Sequence, residues 1–206
     1  MRYSEAMKDF VVGITGASGS IYGLRLIEEL LKSGQRLSVL LSNAGRQVLA
    51  YETGLSLAES PLECRAQLRR HFSAGEELQH FAINDFFAPI ASGSSAPDGV
   101  VICPCSMGTA GRIAAGLSDN LLERVADVAL KERKTLLLAP RETPLNQIHL
   151  ENLLRLSRAG AQILPAMPAF YQQPQTVDDL VNFVVGKALD SLGVDHQLFK
   201  RWGADR

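Results

Sequence analysis

Apolar residues along this chain fall in short continuous runs, each followed by a stretch with helical spacing. Phe10-Val11-Val12 reads as a buried strand, and Leu24-Arg25-Leu26-Ile27-Glu28-Glu29-Leu30-Leu31 places its apolar residues on one helical face. Between them lies a glycine-rich turn, Gly13-Ile14-Thr15-Gly16-Ala17-Ser18-Gly19-Ser20-Ile21-Tyr22-Gly23. The alternation then repeats. Gly34 stops the first helix, residues 37–41 form a strand, and Ser42-Asn43 opens a helix through residue 50. Residues 55–80 read as a helical excursion, most periodic from Cys64 to Phe72. Residues 99–103 form a strand that feeds a second small-residue turn, Pro104 to Thr109, and a helix ended by Gly116. Asp119 starts a strongly periodic helix to Arg133, and residues 135–139 are the next strand. A helix from His149 to Arg158 closes at Gly160, residues 161–164 are the last strand, and Thr176 caps a last helix that ends at Gly193. Strands alternating with helices predict an α/β fold, doubly wound, with a mostly parallel six-stranded sheet.

The composition narrows this picture. With 206 residues and 46% hydrophobic content the chain supports one full core. A single Rossmann-like or flavodoxin-like domain is expected over 1–206, the C-terminal helix and tail from about 176, with Trp202, packing on or beyond it. A net charge of −1 gives no electrostatic ground for nucleic acid or an anionic membrane. No apolar run has the length of a membrane span, and Met1-Arg2-Tyr3-Ser4-Glu5 lacks the apolar stretch of a signal peptide, so a cytoplasmic location is expected. Cys103 and Cys105 are too close in sequence for ordinary disulfide geometry, and no Cys/His pair completes a zinc set with them. Reduced thiols and no metal are expected.

Candidate chemistry clusters where the strands end. Glycines let backbone approach a ligand closely, and free N–H groups at a helix start favour an anion, so the first turn predicts a phosphate-bearing cofactor near Ser18. A tight βα turn with no ligand is the plainer account. The second strand ends in Ser42, where a dinucleotide site usually has an acid, which argues for a mononucleotide or a differently placed ligand. Glu52, one helix further on, reads equally as a solvated helix-end carboxylate. In Ser106-Met107-Gly108-Thr109 a helix cap accounts for one hydroxyl, while the whole cluster suits an anion or a flavin edge. Residues 84–97 form a long irregular stretch with Phe86 and Phe87 at its front, either a binding wall for an apolar group or a connector with Phe86 plugging the core. Pro140-Arg141-Glu142-Thr143-Pro144 puts a charged pair at the C-terminal end of a buried strand, where such sheets bind ligands. Lys131 and Arg133 suit the negative end of their helix.

In this order and at this spacing, Thr15-Gly16-Ala17-Ser18-Gly19, Ala91-Ser92-Gly93-Ser94, Cys103-Pro104-Cys105-Ser106, the run from Ala126 to Arg133, Pro140-Arg141-Glu142-Thr143-Pro144 and Pro168-Ala169-Phe170-Tyr171 resemble the flavin prenyltransferase family of the UbiX type, once called aromatic-acid decarboxylases. The resemblance implies a homo-oligomer, typically a dodecamer, with flavin sites at subunit contacts. It implies reduced FMN and dimethylallyl monophosphate as ligands. The dimethylallyl group is joined to N5 and C6 of the flavin without a metal, and the prenylated FMN serves a UbiD-type decarboxylase, with ubiquinone biosynthesis as the family-level pathway. By the same resemblance Gly16, Ala17, Ser18, Ser42, Ser106, Met107, Gly108, Thr109, Arg124 and Arg141 hold FMN. Ser18 and Glu52 help to move flavin protons, and Glu142 is the proton-transfer group for the phosphate. Lys131, Arg141, Tyr171 and Lys187 bind the phosphate, with Phe86 and Ser92 on the substrate side. Position 187 departs from the family, which usually has Arg there; lysine lacks the bidentate fork.

Three other readings compete. Cysteine-decarboxylating flavoproteins rely on a catalytic His and an Asn-containing loop, and the corresponding loop here is Cys105-Ser106-Met107-Gly108-Thr109. A short-chain dehydrogenase needs a Tyr-x-x-x-Lys pair, and none of the four tyrosines has a lysine four residues on. A non-catalytic flavin carrier leaves Lys131, Arg141, Glu142 and Lys187 without use.

Overall fold

The computed structural model describes residues 7–201, so Trp202 and the end of the expected tail lie outside the described residues. Its centre is a six-stranded sheet of β1 (Asp9–Ile14), β2 (Arg36–Leu41), β3 (Leu78–His80), β4 (Gly99–Cys105), β5 (Thr135–Pro140) and β6 (Gln162–Ile163). The order is β3-β2-β1-β4-β5-β6, and every pairing is parallel. The helices are α1 (Ser20–Lys32), α2 (Asn43–Thr53), α3 (Pro61–Phe72), α4 (Met107–Ala114), α5 (Leu121–Lys131), α6 (Gln147–Arg158) and α7 (Val177–Leu192). The expected doubly wound class is the one found.

Continuous apolar runs are what a strand covered on both faces requires. In β1 the pleat sends Phe10, Val12 and Ile14 into the core made with α1, α2, α3 and α7, and Val11 into the core made with α4, α5 and α6. Helix α7 lays Val181, Val185, Ala188, Leu189 and Leu192 into the first of these. It runs back to the edge where the strands begin: a Cβ added to Gly99, the first residue of β4, would lie 3.2 Å from Leu192 and 3.0 Å from Phe10.

Some boundaries differ from the pattern. Of residues 55–80 only α3 is helical, and Leu78–His80 form a strand held by pairing with Leu37 to Val39. Three residues are too few to show a period, so this strand is specified by its neighbour. Arg133 lies beyond α5 with φ 55°, outside the last turn where the spacing placed it. The irregular 84–97 stretch contains two 3-10 turns, Pro89–Ala91 and Gly93–Ser95.

Between β1 and β4 the strand order reverses, and beyond the C-terminal ends of the strands at such a reversal is where doubly wound sheets have their ligand crevice. Two glycines let α2 close against one wall of it. A Cβ on Gly45 would lie 2.3 Å from the Ile14 carbonyl oxygen, and one on Gly16 would lie 2.6 Å from Cβ of Ala44. Among the described residues no helix is long and apolar enough to cross a membrane. Cys64, Cys103 and Cys105 are free and buried.

Candidate active site

A buried threonine joins the two sides of the crevice. Thr15, just past β1, donates its hydroxyl to the Pro104 carbonyl at 2.8 Å and accepts the Ser106 N–H at 2.7 Å. The first glycine turn and the turn after β4 are thereby fixed to one another. Ser106 caps α4, its Oγ accepting the Thr109 N–H at 3.2 Å and donating to Thr109 Oγ1 at 3.0 Å. Across the sheet Ser42 caps α2 in the same way, accepting the Gly45 N–H at 3.0 Å.

The start of α1 differs from what its glycines suggest. The Glu52 carboxylate accepts the N–H of Gly19 at 3.0 Å and of Ser20 at 2.8 Å. The anion at this helix start is the chain's own, and the expectation of a ligand phosphate on these amides is corrected accordingly. Burial opposes the charge on Glu52, but hydrogen bonds from Ser18, Ser20 and Gly19 overcome it and hold the carboxyl below its usual value. The first turn of α4 is arranged differently. Thr109 and Ala110 direct their amides to Ser106, while among the described residues no hydrogen bond uses the amides of Met107 or Gly108. Gly108 is exposed there, Met107 is buried and Ala17 is buried on the opposite wall.

Arg141, one residue past β5, reaches over the crevice and donates from Nε to the Ser18 carbonyl at 3.1 Å. Glu142 beside it is exposed and, among the described residues, accepts the Thr143 N–H alone, at 3.0 Å. Phe86 is 44% exposed, so it does not plug the core. Arg124 donates to the Ala91 carbonyl at 3.1 Å and pairs with Asp127 at 3.0 Å. Tyr171, in the loop beyond β6, packs edge-on against Phe183 with ring centroids 5.9 Å apart.

Two expected phosphate ligands do not reach this crevice within one protomer. Lys131 ends α5, four residues before β5 begins, and pairs with Glu132 beside Gly93 and the Ser92–Ser94 turn. Lys187 is on the later part of α7, paired with Asp190 at 3.4 Å. Lys131 lies toward the edge where the strands start, and Lys187 lies on the part of α7 that runs back toward it, whereas Arg141 lies where the strands finish.

The relatives agree with this architecture. A family profile described as Flavoprotein matches residues 2–189. The flavin prenyltransferase UbiX of Halalkalibacterium halodurans is 52% identical over 198 residues, covering 96% of this chain and 94% of that one. The chain belongs to the flavin prenyltransferases of the flavoprotein family. Among solved structures, AnUbiX in complex with FMN and dimethylallyl pyrophosphate matches with a TM-score of 0.86 at 38% identity, over 96% of this chain and 98% of that one. The dodecameric FMN-dependent UbiX-like decarboxylase from Escherichia coli matches with a TM-score of 0.84 at 38% identity, over 95% of this chain and all of that one.

For a flavin prenyltransferase the donor set is apt. Backbone amides at α4, the Ser42 hydroxyl and the Arg141 guanidinium suit the phosphate, hydroxyl and carbonyl oxygens of a flavin mononucleotide. Two structural elements near these turns escaped the pattern of the sequence. One is the bridging role of Thr15, whose only signal is a hydroxyl directly after a buried strand. The other is the ion pair between Arg112 of α4 and the fully buried Glu123 of α5. These two stand on different helices with no shared period, and nothing in the spacing joins them.

Proposed function

We propose that this chain joins the dimethylallyl group of dimethylallyl monophosphate to N5 and C6 of reduced FMN, releasing phosphate and yielding prenylated FMN for a UbiD-type decarboxylase. The observation that carries this reading is Arg141 lying across the crevice on the Ser18 carbonyl, with the exposed Glu142 carboxylate next to it. A phosphate ester that leaves without a metal needs fixed cations and a proton source, and this pair supplies one of each.

Gly16 to Ser18, Ser42, Ser106 to Thr109, Arg124 and Arg141 are the residues that hold FMN in this reading. When bound, FMN supplies the electron-rich ring positions that accept the prenyl group. The residues of the chain do the rest. Arg141 opposes the charge that builds on the ester oxygen as its C–O bond breaks. Glu142 delivers a proton to the departing phosphate, which keeps the bonding electron pair, and later takes one back from the flavin. Ser18 and Glu52 form a second proton route: the hydroxyl donates to a carboxylate already held by two amides. Phe86 offers an electron-rich face to developing allylic charge.

Lys131, Ser92 and Lys187 take part through assembly. Placed toward the opposite edge from their own crevice, they serve that of a neighbouring copy, so the reading includes a homo-oligomer, a dodecamer by family. The exposed aromatics Phe87, Phe170 and Tyr171, at 99%, 70% and 55%, are suited to such contacts.

The test is phosphate release from dimethylallyl monophosphate in the presence of chelator. Release that requires reduced FMN supports the reading, and no release at saturating FMN overturns it. Sedimentation tests the assembly. A fully active monomer contradicts the shared site.

A further inference from the structure

Glu123 is the one fully buried carboxylate among the described residues, with no exposed surface. A buried charge requires full pairing. Here it accepts from Arg112 Nε and from the Asp119 N–H at 3.0 Å, at the start of α5, whose dipole favours a negative group. Arg112 by contrast is 45% exposed. Its Nε is taken by Glu123, which fixes the plane of the guanidinium. Its Nη2 then donates to Thr109 Oγ1 at 3.4 Å, one turn back along α4. Its Nη1 lies 3.6 Å from where a Cβ on Gly108 would stand, beside the first turn of the helix.

Thr109 Oγ1 therefore accepts twice, from Arg112 and from Ser106 Oγ. A hydroxyl has one proton and two lone pairs, so both acceptor positions are filled and the proton remains. Among the described residues no acceptor takes it. Ser106 has no such freedom, because its proton is spent on Thr109 and its oxygen receives the Thr109 amide.

We infer that Arg112, anchored by Glu123, is a positioning residue for the flavin: it fixes the Thr109 hydroxyl as a donor at the start of α4. This rests on the reading that FMN lies against residues 106–109. Arg112 acts through Thr109, and the Glu123 carboxylate is the anchor that keeps the guanidinium from turning into solvent. The arrangement is specific to arginine, since a lysine ammonium satisfies Glu123 but has no second nitrogen fixed in the same plane.

The test is FMN affinity, read as quenching of flavin fluorescence, with apo-protein melting measured beside it. The paired change Arg112→Met with Glu123→Gln removes both charges and leaves no lone buried carboxylate. Thr109→Val removes the hydroxyl and keeps its shape. The paired change is expected to weaken FMN binding roughly tenfold, the size of one charge-assisted hydrogen bond. Added to Thr109→Val it is expected to cost nothing more, because the two act on one contact. Arg112→Lys keeps Glu123 paired and is expected to show the same tenfold loss with an unchanged apo melt; it stands in if the paired variant does not fold. Parental affinity in Arg112→Lys, or losses that multiply when combined with Thr109→Val, overturns the inference. An unaltered chain that binds no FMN overturns the underlying reading instead.

Discussion

The Glu52 carboxylate accepts the backbone N–H of Ser20 at 2.8 Å, so the positive end of α1 is neutralised from within the chain. The same carboxylate receives the Ser18 hydroxyl, at the lip of the crevice that Arg141 spans. A group that stabilises a helix is thus also placed to carry a proton.

Glu52→Gln is expected to lower stability at neutral pH by roughly 0.5–1 kcal/mol, the range for an exposed group at a helix start. The Glu52 carboxyl is held below its unfolded value of 4.5. Its contribution is therefore complete above that value and lost as pH falls through the folded one. Melting curves of the two proteins are expected to separate at neutral pH and to converge as the pH falls through the lowered folded-state value. A gap that widens in acid contradicts the assignment.

Glu142→Gln keeps the shape of its side chain and an oxygen that still accepts the Thr143 N–H, and loses the carboxyl that carries a proton. FMN and dimethylallyl monophosphate are expected to bind as in the parent, with prenylation slowed by roughly 10²–10⁴-fold, the size of general acid–base contributions. Lys187→Ala is expected to act on the other parameter, raising KM for the phosphate ester by roughly 10–100-fold while sparing FMN. Steady-state kinetics with titrated FMN separates the two. A parental rate for Glu142→Gln makes that residue a structural partner only.

The cysteines are expected to be inert. Burial pushes the Cys103 thiol up to about 12, with the neighbouring Cys105 adding to it, and burial does the same for Cys105. Burial also raises Cys64, against the pull of Arg46. The thiolate is the reacting species, so iodoacetamide is expected to leave the native chain unmodified and active. Rapid labelling at Cys103 or Cys105, read by intact mass, contradicts this.

Two glycines by the crevice are expected to respond in opposite ways. A Cβ at Gly45 meets the Ile14 backbone at 2.3 Å, and neither α2 nor β1 has room to yield. Gly45→Ala is expected to cost about 3 kcal/mol in denaturant unfolding. At Gly108 an added Cβ meets, among the described residues, only Arg112 Nη1 at an ordinary contact distance of 3.6 Å, and Gly108→Ala is expected to stay within about 0.5 kcal/mol of the parent. Equal costs at the two positions contradict the close approach of α2.

Much of this was legible in the sequence, for reasons tied to single residues. Phe10-Val11-Val12 shows as a strand because both of its faces are covered. Ser42, Ser106 and Thr176 show as caps because a side-chain oxygen at a helix start has a local job, which each performs. The fold class and the flavin prenyltransferase family followed from such local signals in order. What stayed hidden depends on contacts far apart in the chain. Leu78–His80 is a strand by virtue of Leu37 to Val39. The amides of α1 look free until Glu52 folds back over 33 residues. Arg112 and Glu123 meet only through helix packing. That Lys131 and Lys187 lie toward the other end of the strands from Arg141 follows from the direction of α5 and α7, which no motif encodes.

The measurement that tests the central claim most directly is the mass of the flavin itself. The purified chain is incubated anaerobically with reduced FMN and dimethylallyl monophosphate, with chelator present, and the extracted flavin is weighed by mass spectrometry. The account predicts a flavin heavier by one dimethylallyl unit, formed by the parent and strongly suppressed in Glu142→Gln. Unmodified FMN recovered from a chain that demonstrably binds both ligands contradicts it.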